Sequence, residues 1–113
     1  MLPLKYRLKK RKQFAYIHKN GKHVSGDFVS CIYCAAGNTP NIKIGFSASK
    51  KVGNSVVRHR AVRLMREGVK PFIEQLKPNN NYIFVAKEKI TEQHLLFITL
   101  DIEKALKKAN LLK

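Results

Sequence analysis

The chain has 113 residues, 44% of them apolar, and carries 23 lysines and arginines against 7 aspartates and glutamates, a formal charge of +16. That length suits one domain and not two, spanning 1–113, and the apolar share supports a packed core, which excludes a purely disordered basic tail. No apolar run approaches the roughly 20 residues of a membrane span, and the start Met1-Leu2-Pro3-Leu4-Lys5 lacks an apolar signal region, so no membrane association is expected. With two cysteines and no secretory signal, a reducing cytoplasm is the expected location.

Residues 1–8 read as an irregular basic lead-in, because Pro3 discourages an early helix. Lys9 to Lys19 reads as a short helix on which Phe14, Ile17 and His18 share a face, with Gly21 as its stop. Val24 to Ala35 is rich in strand formers, Phe28, Val29, Ile32 and Tyr33, and the turn residues Ser25-Gly26-Asp27 divide it. After the loop Gly37-Asn38-Thr39-Pro40-Asn41, alternation places Ile42, Ile44, Phe46 and Ala48 on one face of a strand, expected to pair with the preceding segment as a hairpin.

Asn54 is the expected N-cap of a helix starting near Ser55. At 100° per residue, Val57, Ala61, Leu64 and Met65 fall in one sector, while Arg58, His59, Arg60, Arg63 and Arg66 spread over the opposite arc. Gly68 and Pro71 are expected to end or kink this helix, Pro71 starting a short second one through Leu76. Asn79-Asn80-Asn81 reads as a turn and Tyr82 to Ala86 as a buried strand. Leu95, Ile98, Ile102, Ala105 and Ala109 recur at helical steps, which predicts a closing helix that starts near Thr91 or Thr99. The sum is an α+β sandwich with a sheet on a helical layer.

The charge is unevenly placed. Up to Arg66 there are 15 lysines and arginines and a single acid, Asp27, whereas from Glu67 onward eight lysines face six acids. The first half therefore builds a polyanion-facing surface, with nucleic acid the first candidate before an acidic membrane. Its centre is Lys50-Lys51-Val52-Gly53-Asn54-Ser55 leading into Arg58, His59, Arg60, Arg63 and Arg66. A solvated helix interleaves glutamate with lysine for i,i+4 pairs, and here only Glu67 does so. Guanidinium forks match phosphate oxygens, and the helix start adds backbone N–H donors beside Lys50 and Lys51.

Phe14 and His18, with Tyr33 on a strand, form either a wall for unstacked bases or ordinary packing of helix on sheet. Cys31-Ile32-Tyr33-Cys34 has C-x-x-C spacing, but on a strand residues three apart point to opposite faces, so buried thiols are favoured over a zinc site with His18 or His23. A metal nuclease clusters carboxylates; the acids here are scattered, on faces expected to be exposed, and no protein catalytic residue or metal ligand is assigned.

The stretch Gly45 to Glu67 resembles the signature of the bacterial ribonuclease P protein subunit. The family's pattern, R-N-R followed by two arginines at three-residue steps, is matched by Arg58, Arg60, Arg63 and Arg66, with His59 in place of the usual Asn. Arg7-Leu8-Lys9-Lys10, Phe14 and Gly21-Lys22 resemble the family's first helix, and Tyr82 to Lys87 its last strand. The resemblance implies a two-layer α/β sandwich like the second domain of ribosomal protein S5, in the order α-β-β-β-α-β-α with a left-handed β-α-β crossover. It implies an auxiliary subunit, one per RNA, whose partner RNA is the ribozyme that removes the 5′ leader of precursor tRNA, with Mg²⁺ at the RNA active site and no cofactor in the protein. Lys50, Lys51, Asn54, Arg58, His59, Arg60, Arg63 and Arg66 would bind that RNA. Phe14, His18 and one or more of Val29, Cys31 and Tyr33 would hold the leader. The alternatives are a structural RNA-binding protein of ribosomal type, which needs no leader cleft, and a self-sufficient nuclease.

Overall fold

The computed structural model describes residues 6–36 and 42–113; residues 1–5 of the expected lead-in and the loop at 37–41 lie outside the described residues. The elements run α1 (Arg11–Asn20), β1 (Lys22–Ser25), β2 (Val29–Ala35), β3 (Lys43–Ser47), α2 (Ser55–Val69), β4 (Asn80–Ala86) and α3 (Leu95–Lys108), with 3₁₀ turns at Lys70–Gln75 and Ile90–Glu92. This is the expected order of helices and strands.

The strands form one sheet in the order β1-β2-β4-β3. β1 and β2 pair antiparallel, as do β2 and β4, while β3 runs parallel to β4. One expectation is corrected here: the segments before and after the 37–41 loop do not form a hairpin, because β4 lies between them. Tyr82, Ile83 and Phe84 are all buried, so β4 is apolar on both faces and gains most from the central position. A parallel neighbour requires a crossover connection, which α2 supplies between β3 and β4.

Alternation along the strands sends side chains to two different cores. Val24, Val29, Cys31, Ile44, Tyr82, Phe84 and Ala86 belong to the larger one, with Ala61, Met65 and Val69 of α2 and Ile98, Ile102, Ala105 and Leu106 of α3. Ile42, Ile44, Phe46 and Ala48 all join this side, as their alternation predicts. On the other face Ile32 and Ile83 meet Leu8 and Ile17, flanked by Phe14, Cys34 and Val85. Leu8 is buried, and its N–H donates to the Ile44 carbonyl at 3.0 Å, so the end of the basic lead-in is stitched to the outer edge of β3.

Cys31 and Cys34 are both free and lie in different cores, on opposite faces of β2. Burial pushes the Cys31 thiol from its ordinary 9.0 up to about 12. The unfolded chain ionises this thiol near pH 9.0 while the fold keeps it neutral to about 12, so its contribution is intact below pH 9.0 and lost as pH rises through that interval. A thiol reagent at pH 8 is expected to label Cys34 in the native chain, and Cys31 only once denaturant is added; equal labelling of both in the folded protein would contradict this burial.

Asn54 caps α2 as expected, its Oδ1 accepting the Val57 N–H at 3.1 Å. Gly53 precedes it at φ +152°, where a side chain would be strained and its Cβ would come within 2.8 Å of Val57. Gly68 does not end α2. It is buried against α3, where a Cβ would sit 2.9 Å from Ile102 Cδ1, and the helix passes through it into the 3₁₀ turn that carries Pro71. The start of α3 is capped by neither threonine but by His94, whose Nδ1 accepts the Leu96 N–H at 3.1 Å.

Asp101, on α3, corrects a second expectation, that the late acids lie on exposed faces. It is 6% exposed, and its carboxylate accepts the backbone N–H groups of Asp27 (2.7 Å), Phe28 (2.9 Å) and Val29 (3.0 Å). The β1–β2 turn is thereby tied to α3. Gly26 makes the approach possible, since a Cβ there would lie 2.5 Å from Asp101 Oδ2.

Candidate nucleic-acid interface

α2 offers its cations because its apolar residues are used up on the sheet. Ala61, Met65, Gly68 and Val69 are buried, Val57 and Leu64 half-buried, and His59, Arg60 and Arg63 exposed. Among the described residues no carboxylate lies within ion-pair distance of Arg58, Arg60, Arg63 or Arg66, and Glu67, one turn after Arg63, does not pair with it; the ion pair that does form is Lys107 to Glu103 on α3, at 3.5 Å. Lys50 and Lys51 are exposed in the turn that enters the helix, continuing the same charge. Arg58 is half-buried, and its Nε is a buried donor without an acceptor.

Residues four apart stack along a helix, so Arg58, Val62 and Arg66 form one flank of α2 and His59 and Arg63 the next. The first flank turns toward β3. The Arg66 guanidinium lies 5.8 Å from the centre of the Phe46 ring, a cation–π distance. Phe46 is stacked in turn on buried Phe84, at 6.0 Å between centroids and 26° between planes.

α1 closes the other wall. Phe14 is half-buried with its ring over Gly45, where a Cβ would come within 2.5 Å of it. His18, one turn on, is exposed. Arg7, Lys9, Phe14, Gly45, Phe46 and Arg66 thus share one hollow of about 270 Å³. A second hollow, of about 510 Å³, opens beside the turn before α2 and is lined by Phe28, Lys51, Lys87 and Lys89 among others. There Lys87 is part of the scaffold, its Nζ donating to the Gly26 carbonyl at 2.5 Å.

The expected strand contribution falls on the wrong face. Val29 and Cys31 are each 1% exposed in the larger core, and Tyr33 packs against that core too, so none of the three faces α1. The α1 side of β2 is Ser30, Ile32 and Cys34, because register is set by pairing Cys31 with Phe84 and Ile32 with Ile83. Phe14 and Arg66, assigned above to the leader and to the RNA subunit, line the same hollow at β3. Phe46 is legible in the sequence only as a core residue, since nothing in a strand's alternation reveals which helix passes its edge.

A four-stranded sheet with α1 on one face, α2 and α3 on the other, and a cationic flank on the crossover helix defines a small basic α+β protein. The model of the family Ribonuclease P matches residues 2–110 of this chain. The chain belongs to that family. It is 38% identical to the ribonuclease P protein component of Caldanaerobacter subterraneus subsp. tengcongensis over 105 residues, 93% of this chain and 90% of that protein. It is 35% identical to the component of Clostridium kluyveri over 112 residues, 96% and 97% of the two chains. The solved structure of the Staphylococcus aureus RNase P protein superposes with a TM-score of 0.83 at 29% identity, covering 96% of this chain and 98% of that one.

Proposed function

We propose that this chain binds the catalytic RNA of ribonuclease P through α2 and holds the single-stranded 5′ leader of precursor tRNA beside α1, supporting removal of the leader. One observation carries the reading: an ordered helix whose arginines have no acidic partner among the described residues, next to a hollow with an aromatic wall. Guanidinium groups present forked donors that match phosphate oxygens. Phe14 and exposed His18 supply the apolar and polar edges against which an unstacked base rests. The subunit acts once per RNA, in the cytoplasm.

Chemistry falls to the RNA and its Mg²⁺ ions on this reading. Asp101 is committed to three backbone N–H groups and Glu103 to Lys107, while Asp27 and Glu88 line the hollow before α2 together with Lys51, Lys87 and Lys89. Among the described residues no three His, Cys, Asp or Glu side chains are grouped to hold a metal, and no helix is long and apolar enough to cross a membrane.

The test is reconstitution. Added to a bacterial ribonuclease P RNA at physiological Mg²⁺, the protein is expected to restore 5′ cleavage of precursor tRNA, and to cut nothing with Mg²⁺ when the RNA is left out. Cleavage by the protein alone would make it a nuclease in its own right. Failure to restore cleavage, with RNA binding intact, would leave only a structural RNA-binding role.

A further inference from the structure

We infer that Arg66 is a leader contact and not a ribozyme contact: with Arg7, Lys9 and Phe14 it forms a niche at the β3 edge for one phosphate and the adjoining base of single-stranded RNA. The inference rests on the leader reading above and divides the cations of α2 between two RNA strands.

Three observations converge on it. The hollow holds cations from two parts of the chain, Arg7 and Lys9 before α1 and Arg66 on α2, and among the described residues no carboxylate lines it. At about 270 Å³ and open to solvent, it has room for a phosphate and the adjoining base edge. Arg66 is also set apart from its neighbours on the helix. His59, Arg60 and Arg63 are exposed; Arg66, like Arg58, is half-buried, and it is the Arg66 guanidinium that is drawn over Phe46.

Phe46 acts as a positioning residue. Its ring is fixed by the stack on buried Phe84, and the cation–π contact then holds the guanidinium at the mouth of the hollow. An arginine already ordered loses less conformational freedom when it binds, which favours affinity without a new contact. Gly45 completes the floor: the absence of a side chain lets the tip of the Phe14 ring approach β3, in the hollow that Arg66 also lines.

The experiment uses the holoenzyme assembled with a bacterial ribonuclease P RNA. It compares affinity for precursor tRNA carrying a short leader with affinity for mature tRNA, and measures binding of the protein to the RNA subunit alone. Arg66→Gln is expected to cut the affinity gained from the leader roughly tenfold, the size of one charge-assisted hydrogen bond, while binding to the RNA subunit changes by less than about twofold. Arg60→Gln is expected to give the opposite pattern. Phe46→Leu should lower the leader gain a few-fold, about the size of a cation–π contact, and add nothing in the Arg66→Gln background; independent, additive losses would show that Phe46 serves packing only. Arg66→Lys keeps the charge and the stem, and should restore part of the gain, which separates charge from folding.

A leader gain that survives Arg66→Gln, with RNA-subunit binding reduced instead, overturns the niche and returns Arg66 to the ribozyme. Equal affinity of the unaltered holoenzyme for both tRNAs overturns the leader reading itself.

Discussion

Alanine at Arg60 and Arg63 together is expected to weaken binding to ribonuclease P RNA about a hundredfold at physiological salt, roughly tenfold for each charge-assisted hydrogen bond. The slope of log affinity against log salt should fall by about 0.7–0.9 per phosphate neutralised. Both side chains are exposed on α2, and among the described residues neither has a carboxylate in reach. They are therefore not engaged in holding the fold, and their replacement should leave the thermal midpoint within a few degrees. Lys104→Ala on α3, exposed but remote in sequence from the cationic helix, serves as the control and should change neither quantity appreciably. A salt slope that stays the same in the double variant would remove both arginines from the RNA interface, whatever happened to affinity.

The second large effect concerns stability. Asp101→Ala should destabilise the fold by about 3–4 kcal/mol, because it strips three backbone donors of a charged acceptor and leaves the buried Val29 N–H unmet. For a chain of this size that corresponds to a loss of roughly 12–25 °C in thermal midpoint. Asp101→Asn keeps one acceptor oxygen and should recover part of the loss. Gly26→Ala should reproduce much of it by a different route, since the new Cβ displaces the carboxylate itself. Urea titration in sulfate-containing buffer measures all three, sulfate being included because so much positive charge opposes compaction. A change below about 1 kcal/mol for Asp101→Ala would mean that the β1–β2 turn holds its shape unaided.

The two effects lie at opposite ends of the same chain of causes. Asp101 ties the β1–β2 turn to α3, and α3 is the helix that packs along α2 through Ile98, Ile102 and the gap left by Gly68. The larger core formed in this way presents the arginine flank of α2 outward. Loss of Asp101 is thus expected to lower RNA affinity indirectly, with the salt slope of the remaining folded fraction unchanged, whereas loss of Arg60 and Arg63 acts on the slope directly.

Much of this is legible in the order of residues because it depends on near neighbours. Asn54 capping α2, the alternation of Ile42, Ile44, Phe46 and Ala48, the opposite faces of Cys31 and Cys34, and the cationic arc of Arg60 and Arg63 all follow from helical and strand periods. The family pattern around Arg58 to Arg66 adds the family, and the match over residues 2–110 agrees with it. The expectations that fail needed long-range information. Insertion of β4 between β2 and β3 is a matter of which strand gains most from burial on both faces, and two local segments do not disclose it. The faces of Val29, Cys31 and Tyr33 turn on that same pairing, since a one-residue shift in register exchanges them with Ser30, Ile32 and Cys34. Asp101 reads as one more acid on a helix until the turn more than seventy positions earlier is brought to it.

By itself the sequence determined a small basic α+β domain and a cationic helix with one apolar face, because charge, period and capping are local properties, and its arginine pattern pointed to the family. Only the tertiary structure decided what surrounds those cations. The parallel crossover swings α2 past the edge of β3, Phe46 draws Arg66 off the exposed arc, and α1 brings Phe14 to the same hollow. The physical reason is that a side chain's direction follows from its own element, while its neighbours follow from how elements pack.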